Sequence, residues 1–358
     1  MKTRYVLALI AIAPAAIAHH GLSPHYDANQ SVTIEGTITD FKFVNPHAVL
    51  YIDVTNDDGT VSNWNCEMSA SSHLRRLGWT KDLFSPGRKI EINGIAARRD
   101  PHGCSFRTGE LEGGFRISRN DPLNQDTATA NLGNGGVDID DPGSFAGTWQ
   151  TQRRQRNRGP GQAGGPGQGP RQEGLGRLQN SLTGEGRKAA DAYDMRFDDP
   201  ALECSPSSII RAWSEPNGIS EIELAEDRII IRHEFMDTVR TVHLDARTHP
   251  ATVERSLTGH SVGWFEDSEL VIETTGFNAG VLIPHPGVVH TENMRVIERV
   301  SLSAGGSQLI REYEVTDPEY LSEPITGSNT WIRTDIALPV YDCTELTGVS
   351  KIRPESND

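Results

Sequence analysis

The sequence predicts a mainly β protein: a small OB-like barrel, then a larger antiparallel β barrel or sandwich, with a disordered tether between them. Three observations carry this reading. Short stretches of alternating apolar and polar residues recur along the chain, as half-buried strands require. Glycine and proline are plentiful (35 and 20 of 358 residues) and the apolar share is 36%, which favours a loop-rich β protein over a helical bundle. Residues 150–178 are dominated by Gly, Gln, Arg and Pro, a composition that cannot bury enough apolar surface to offset its ordering entropy.

In chain order, Lys2 and Arg4 form a positive start and residues 6–16 an apolar run that ends at Ala16-Ile17-Ala18. The run is too short to cross a bilayer and reads as a secretory signal peptide, residues 1–18, cleaved to leave His19 first. The expected compartment is periplasmic or secreted. Residues 19–120 form the OB-like domain. Strands are expected at 32–39, 49–54, 61–68, 89–94, 105–111 and 115–118, with a turn at Asp58-Gly59 and a short helix over 71–78 that ends at Gly78. Five or so short strands and one helix suit a small OB-like barrel.

Residues 121–178 are expected to be a Gly/Arg-rich linker, with one strand at 145–150 around Trp149. The Gly147-Thr148-Trp149 stretch resembles the opening strand of lipocalin-like barrels, although the Gly/Arg tether follows it at once. The larger domain is expected over 179–352, followed by a tail over 353–358. A helix runs over 183–195, capped by Thr183 and stopped by Asp198-Asp199-Pro200. Strands follow at 219–224, 228–234, 238–244, 251–257, 261–266, 269–275, 294–302, 308–315 and 328–335. The Gly/Pro-rich stretch 278–291 is expected to be a loop that forms a lid or a barrel mouth.

Charge and cysteine usage narrow the function. The formal net charge is -15, and it falls to -17 once Lys2 and Arg4 leave with the leader. Such an acidic body argues against nucleic acid as the main partner. No second apolar run approaches ~18 residues, so the mature chain is not expected to span a membrane. The four cysteines include no Cys-x-x-Cys pair, and export makes disulfides their natural use. Of the three pairings, Cys66–Cys104 with Cys204–Cys343 keeps each bridge within one expected domain.

Two stretches carry resemblances. Ala18-His19-His20-Gly21, Tyr26-Asp27, residues 32–37, Asn45-Pro46-His47, Gly78-Trp79 and Pro86-Gly87 resemble a family of exported bacterial proteins, domain of unknown function 6152. The resemblance covers residues 18–118. It implies export and an OB-like domain, and carries no established activity. The second half resembles another secreted bacterial β module through residues 198–204, 247–250, 259–266, 270–277, Glu298-Arg299, Asp317-Pro318 and Tyr341-Asp342-Cys343. Phe265-Glu266-Asp267 stands where that module usually shows Trp-Glu-Gly.

Candidate chemistry falls in three places. His19, with its free amine, could chelate copper or zinc together with His20, His25 and His47; the same residues also suit a solvated chain end. His47, on the stiff Asn45-Pro46-His47 corner, could read a ligand or simply hold the turn. His249, His260, Glu266, Glu273, His290 and Glu298 offer the residue types of general acid–base catalysis, against conformational roles for each. No Gly-x-Ser-x-Gly elbow, P-loop or dinucleotide fingerprint is present. The expectation is an exported protein that binds a small ligand in the larger domain, with a metal ion or a partner as a candidate for the first domain. A hydrolase or lyase with a His/Glu site in the larger domain, or a structural module of the envelope, is the alternative.

Overall fold

The computed structural model describes residues 25–123, 141, 143–151, 178, 180–215 and 218–345. The leader, His19, His20, the greater part of the Gly/Arg stretch and the tail lie outside the described residues.

The first domain is built from β1 (Tyr26–Lys42), β2 (Val49–Thr55), β3 (Val61–Glu67), α1 (Ser71–Arg76), β4 (Lys89–Ala97), β5 (Gly103–Leu111) and β6 (Phe115–Ser118). β1 pairs antiparallel with both β2 and β4, β2 with β3, and β4 with β5. β3 lies parallel to β5 and closes the ring, with β6 added to β5 as a hairpin. A five-strand ring with a helix between its third and fourth strands is OB-like, as expected. Alternation drives it: Ile90 and Ile92 are buried while Glu91 between them is exposed. On β1 an irregularity in register between Ile38 and Asp40 shifts the phase, so Ile34, Ile38 and Phe41 all reach one core with Leu50, Ile52, Trp79 and Phe106. The Cys66–Cys104 disulfide joins residues directly opposite each other on β3 and β5, so the ring closure is covalent.

The second domain is a closed barrel of nine strands: β7 (Gly147–Thr151), β8 (Ile219–Leu224), β9 (Arg228–His233), β10 (Thr238–His243), β11 (His260–Glu266), β12 (Glu269–Thr275), β15 (Arg295–Leu302), β16 (Gln308–Thr316) and β17 (Ile325–Thr334). A separate hairpin, β13 (Gly280–Ile283) with β14 (Val288–His290), lies in the stretch expected to be a plain loop. The barrel's neighbours are antiparallel except β10 and β11, which are parallel. A parallel pair needs a long crossover, and residues 244–259 provide it. That corrects the expected strand at 251–257: the segment is the crossover, and its bridge, Ser256–Phe277, is isolated and lies outside the strands.

The expected linker also needs correcting. β7 pairs with β17 and β8, so it is a stave of the barrel and the second domain begins before the Gly/Arg stretch. Residues 152–177 therefore separate the barrel's first and second strands and do not join two domains. Helices α2 (Gly184–Ala192), α3 (Met195–Asp198) and α4 (Ile209–Ser214) follow. Thr183 caps α2 as expected, accepting from the Gly186 N–H at 3.0 Å, but α2 ends at Ala192 and Tyr193 is extended. The Cys204–Cys343 bridge ties the turn after α3 to the C-terminal segment.

The two domains meet at the Asn45-Pro46-His47 corner. Asn45 is buried, and its Oδ1 accepts from the Ser72 N–H at 3.0 Å and the Ser71 hydroxyl at 3.1 Å, fixing the start of α1. Its amide donates to the Tyr341 carbonyl, and its own carbonyl accepts from Thr344 at 2.8 Å. Arg76 reaches across to Glu234 at 2.8 Å.

Candidate functional site

The barrel interior follows a pattern that recurs strand by strand. Inward residues are apolar at both ends and polar in the middle: Ile272, Thr274 and then Phe277; Val300, Glu298 and Val296; Leu309, Arg311 and Val315; Trp331, Asn329 and Ile325. The apolar ends form two separate clusters, one around Trp149, Ile229 and Leu270, the other around Ile209, Leu282 and Val296. Between them lies a charged layer.

Glu298 is fully buried at the centre of that layer. One carboxylate oxygen takes Arg311 Nε at 2.6 Å, and the other takes Arg240 Nη2. Arg240 Nε also donates to Ser261 at 2.9 Å and Nη2 to Thr274 at 2.7 Å, and these two hydroxyls meet at 2.9 Å. Arg311 Nη1 donates to Asn329 Oδ1 at 2.9 Å. Burial alone would raise the Glu298 pKa, but the two guanidinium charges outweigh it and hold it at about 2. Burial pulls Arg311 below the ordinary arginine value.

His233 sits at the edge of the layer, with Nδ1 2.6 Å from the Ser220 hydroxyl. Burial first, and then the charges of Arg240 and Arg311, drive its pKa to about 3, so it is neutral. α4 carries Trp213 in beside it. The Ser208 hydroxyl caps α4 by accepting from the Arg211 N–H at 3.2 Å and is itself anchored to the Leu282 carbonyl. Trp213 meets Trp331 edge-on at 4.9 Å and His233 at 4.8 Å, and the Arg311 guanidinium lies 5.4 Å from the Trp213 ring.

Five buried polar atoms of this layer have no partner among the described residues: Arg240 Nη1, Arg311 Nη2, His233 Nε2, Trp213 Nε1 and Trp331 Nε1. Buried polar groups in folded proteins are nearly always bonded, so such a concentration in one place is a signal. The barrel interior is not an open apolar pocket. Trp149, Trp213, Trp331, Arg240 and Arg311 fill it.

The expected His/Glu cluster is also corrected, because its members fall in four places. His249 and His260 meet, Nδ1 to Nδ1 at 2.9 Å, near the crossover; His243 stacks on His260 and Glu273 lies 3.7 Å from His249. Glu273 is itself held by both arms of a fork from Arg295. Glu266 lies exposed at the β11–β12 turn, bonded to Trp264 and Arg299. His290 is buried beside Phe277 with Nδ1 on the Thr291 carbonyl. Glu298 alone belongs to the core layer, and its neighbour Arg299 faces outward to Glu266 and Glu269.

Of the expected metal ligands, His25 and His47 lie near Glu67 in the first domain. His47 Nδ1 is 2.5 Å from one Glu67 oxygen, and the Tyr26 hydroxyl donates to the other at 3.0 Å. Burial lowers the His47 pKa, but the Glu67 charge more than reverses this and raises it. Burial would raise Glu67, but His47 and the Tyr26 bond hold it at about 2. Among the described residues no three His, Cys, Asp or Glu are arranged to hold a metal ion. Among the same residues no helix is long and apolar enough to cross a membrane.

Sequence reading missed Arg240, Arg311 and His233. The signal was available: Arg311 stands in phase with Leu309 and Val315, and Arg240 with Val242. A charge at a core phase of a strand is the mark of a buried polar site.

Residues 8–105 match the model of a family of unknown function, DUF6152. The match spans the first domain as far as the start of β5, and the resemblance of the second half to another secreted module has no counterpart in it. No curated protein matches the chain.

Proposed function

We propose that the chain is an exported binding protein whose barrel holds a small polar ligand in its charged layer. The observation that carries this reading is the set of five unpartnered, fully buried polar atoms on Arg240, Arg311, His233, Trp213 and Trp331. They belong to side chains from several strands and one helix, all buried in the barrel interior. Export is supported by the leader-like residues 1–18 and by the pairing of all four cysteines in disulfides.

The layer is a poor catalyst. The Ser220–His233 pair has the composition of a nucleophile and its base, but a histidine whose pKa is about 3 accepts a proton weakly at neutral pH. Both side chains are also sealed from bulk solvent.

A second reading concerns copper or zinc at the chain start, through His19, His20, His25 and His47. Its support is that His47 lies against Glu67, the carboxylate that also takes the hydroxyl of Tyr26, the neighbour of His25. Native mass spectrometry of the exported protein with its natural N-terminus tests both readings. A mass excess that vanishes on denaturation supports a resident ligand, and bare protein in every charge state counts against it.

A further inference from the structure

Resting on the reading of the barrel as a binding site, we propose that its ligand is a small monovalent anion. Three features of the layer point the same way. The first is charge. Arg240 and Arg311 face a single carboxylate, Glu298, and these are the charges that act on His233. The layer therefore carries one uncompensated positive charge inside a sealed barrel, where an unpaired charge is costly.

The second is the direction of the unmet hydrogen bonds. A guanidinium nitrogen and an indole nitrogen donate and do not accept. When the Ser220 hydroxyl donates to His233 Nδ1, the neutral ring carries its proton on Nε2 and adds a further donor; in the other tautomer Nε2 accepts, and the four arginine and indole donors remain. A water among these groups would satisfy their donors but would have two hydrogens of its own to place. The layer's acceptors each already take an arginine: Glu298 takes both, Asn329 Oδ1 takes Arg311, and the Ser261 and Thr274 hydroxyls take Arg240, so a water would have to share them. An anion has no hydrogens to place.

The third is size. Three tryptophans and two arginines fill the interior, so the guest is an ion of a few atoms and not a lipid or a nucleotide. The chemistry that fits is a halide or a small planar oxyanion such as nitrate or formate, with the guanidinium edges of Arg240 and Arg311 as its main donors.

The experiment is a thermal or urea unfolding series on the full exported chain. It uses sodium chloride, sodium nitrate or sodium formate as titrant, with ionic strength held by sodium gluconate, which is too bulky to enter. Formamide serves as the neutral counterpart of formate. The expected result is a midpoint that climbs with the logarithm of anion concentration, with the slope of a single site, and does not respond to formamide. Arg311→Met removes the excess charge and should abolish the response. Glu298→Gln adds to the charge and should tighten binding by tenfold or more. If Arg311→Met does not fold, the formate–formamide contrast and Glu298→Gln still decide. Equal responses to formate and formamide would overturn the anion while leaving a neutral polar ligand standing. An unchanged anion response in Arg311→Met would place the effect outside the barrel and overturn the proposal. No response to any probe, together with bare protein in native mass spectrometry, would overturn both the anion and the binding reading.

Discussion

Replacing Glu298 by glutamine keeps the shape of the side chain and removes only its charge. In the wild-type core each carboxylate oxygen takes one guanidinium, and all three side chains are at most 2% exposed. The variant leaves Arg240 and Arg311 facing each other with nothing of opposite sign between them. Removing one partner of a buried ion pair typically costs about 3–5 kcal/mol, because the stranded charge cannot return to water. Domains have about 5–15 kcal/mol of total stability, so this is a large share of it. The assay is equilibrium urea unfolding followed by tryptophan fluorescence, since Trp213 and Trp331 report directly on the layer. A companion variant, Arg240→Met with Glu298→Leu and Arg311→Met, replaces the triad by apolar groups and should lose far less than Glu298→Gln. If Glu298→Gln loses under about 1 kcal/mol, or if the apolar triple is the worse of the two, the account of the layer as a buried charge assembly is wrong.

Four further outcomes are expected. His233 has a folded pKa of about 3 against an unfolded value near 6.5. The unfolded chain therefore takes up a proton that the folded chain refuses, so stability is full above pH 6.5 and falls on acidification towards pH 3. The full shift corresponds to about 5 kcal/mol, and His233→Asn should flatten this part of the acid limb in urea midpoints read between pH 4 and 7. Removing the Cys204–Cys343 bridge, which spans 139 residues, should cost about 5 kcal/mol by chain entropy, measured as unfolding of Cys204→Ser/Cys343→Ser against wild type. Gly186→Ala should destabilise by about 2 kcal/mol or more, because a Cβ there would press on the Tyr320 carbonyl; an unchanged melting temperature would contradict the close packing of α2. The metal reading predicts stoichiometric copper or zinc by elemental analysis on protein with its natural N-terminus, lost in His19→Ala; metal-free protein ends that reading.

The first domain was legible because its physics is local. β4 shows period-two alternation and β2 a short apolar run, each bounded by turn residues, so their positions could be read without knowing their neighbours. Only the β3–β5 closure needed the fold, and the Cys66–Cys104 pairing hinted at it. The barrel's staves were legible for the same reason, except where the pattern misleads. Residues 251–257 look like a strand, yet the chain spends them on the crossover that the parallel β10–β11 pair requires. β7 was assigned to the linker because the Gly/Arg stretch follows it directly, and no local feature of 145–150 says that its partners are β17 and β8. The candidate histidines were chosen by residue type, which cannot tell His290, packed beside Phe277, from His233, set among two arginines.

The charged layer is also the part of the barrel least explained by folding alone. Apolar side chains of similar volume generally stabilise a core as well as a buried ion triad does, or better. A barrel selected only for stability has no reason to place Arg240, Glu298 and Arg311 between two apolar clusters that already pack well. It has still less reason to carry one arginine more than its carboxylate can neutralise. The two disulfides sharpen the point, because they supply stability that does not depend on the core's chemistry. The layer is then best understood as incomplete without its guest. The anion offsets the surplus charge and occupies the unmet donors, so the empty barrel is the less stable state and ligand binding and core stability are one equilibrium.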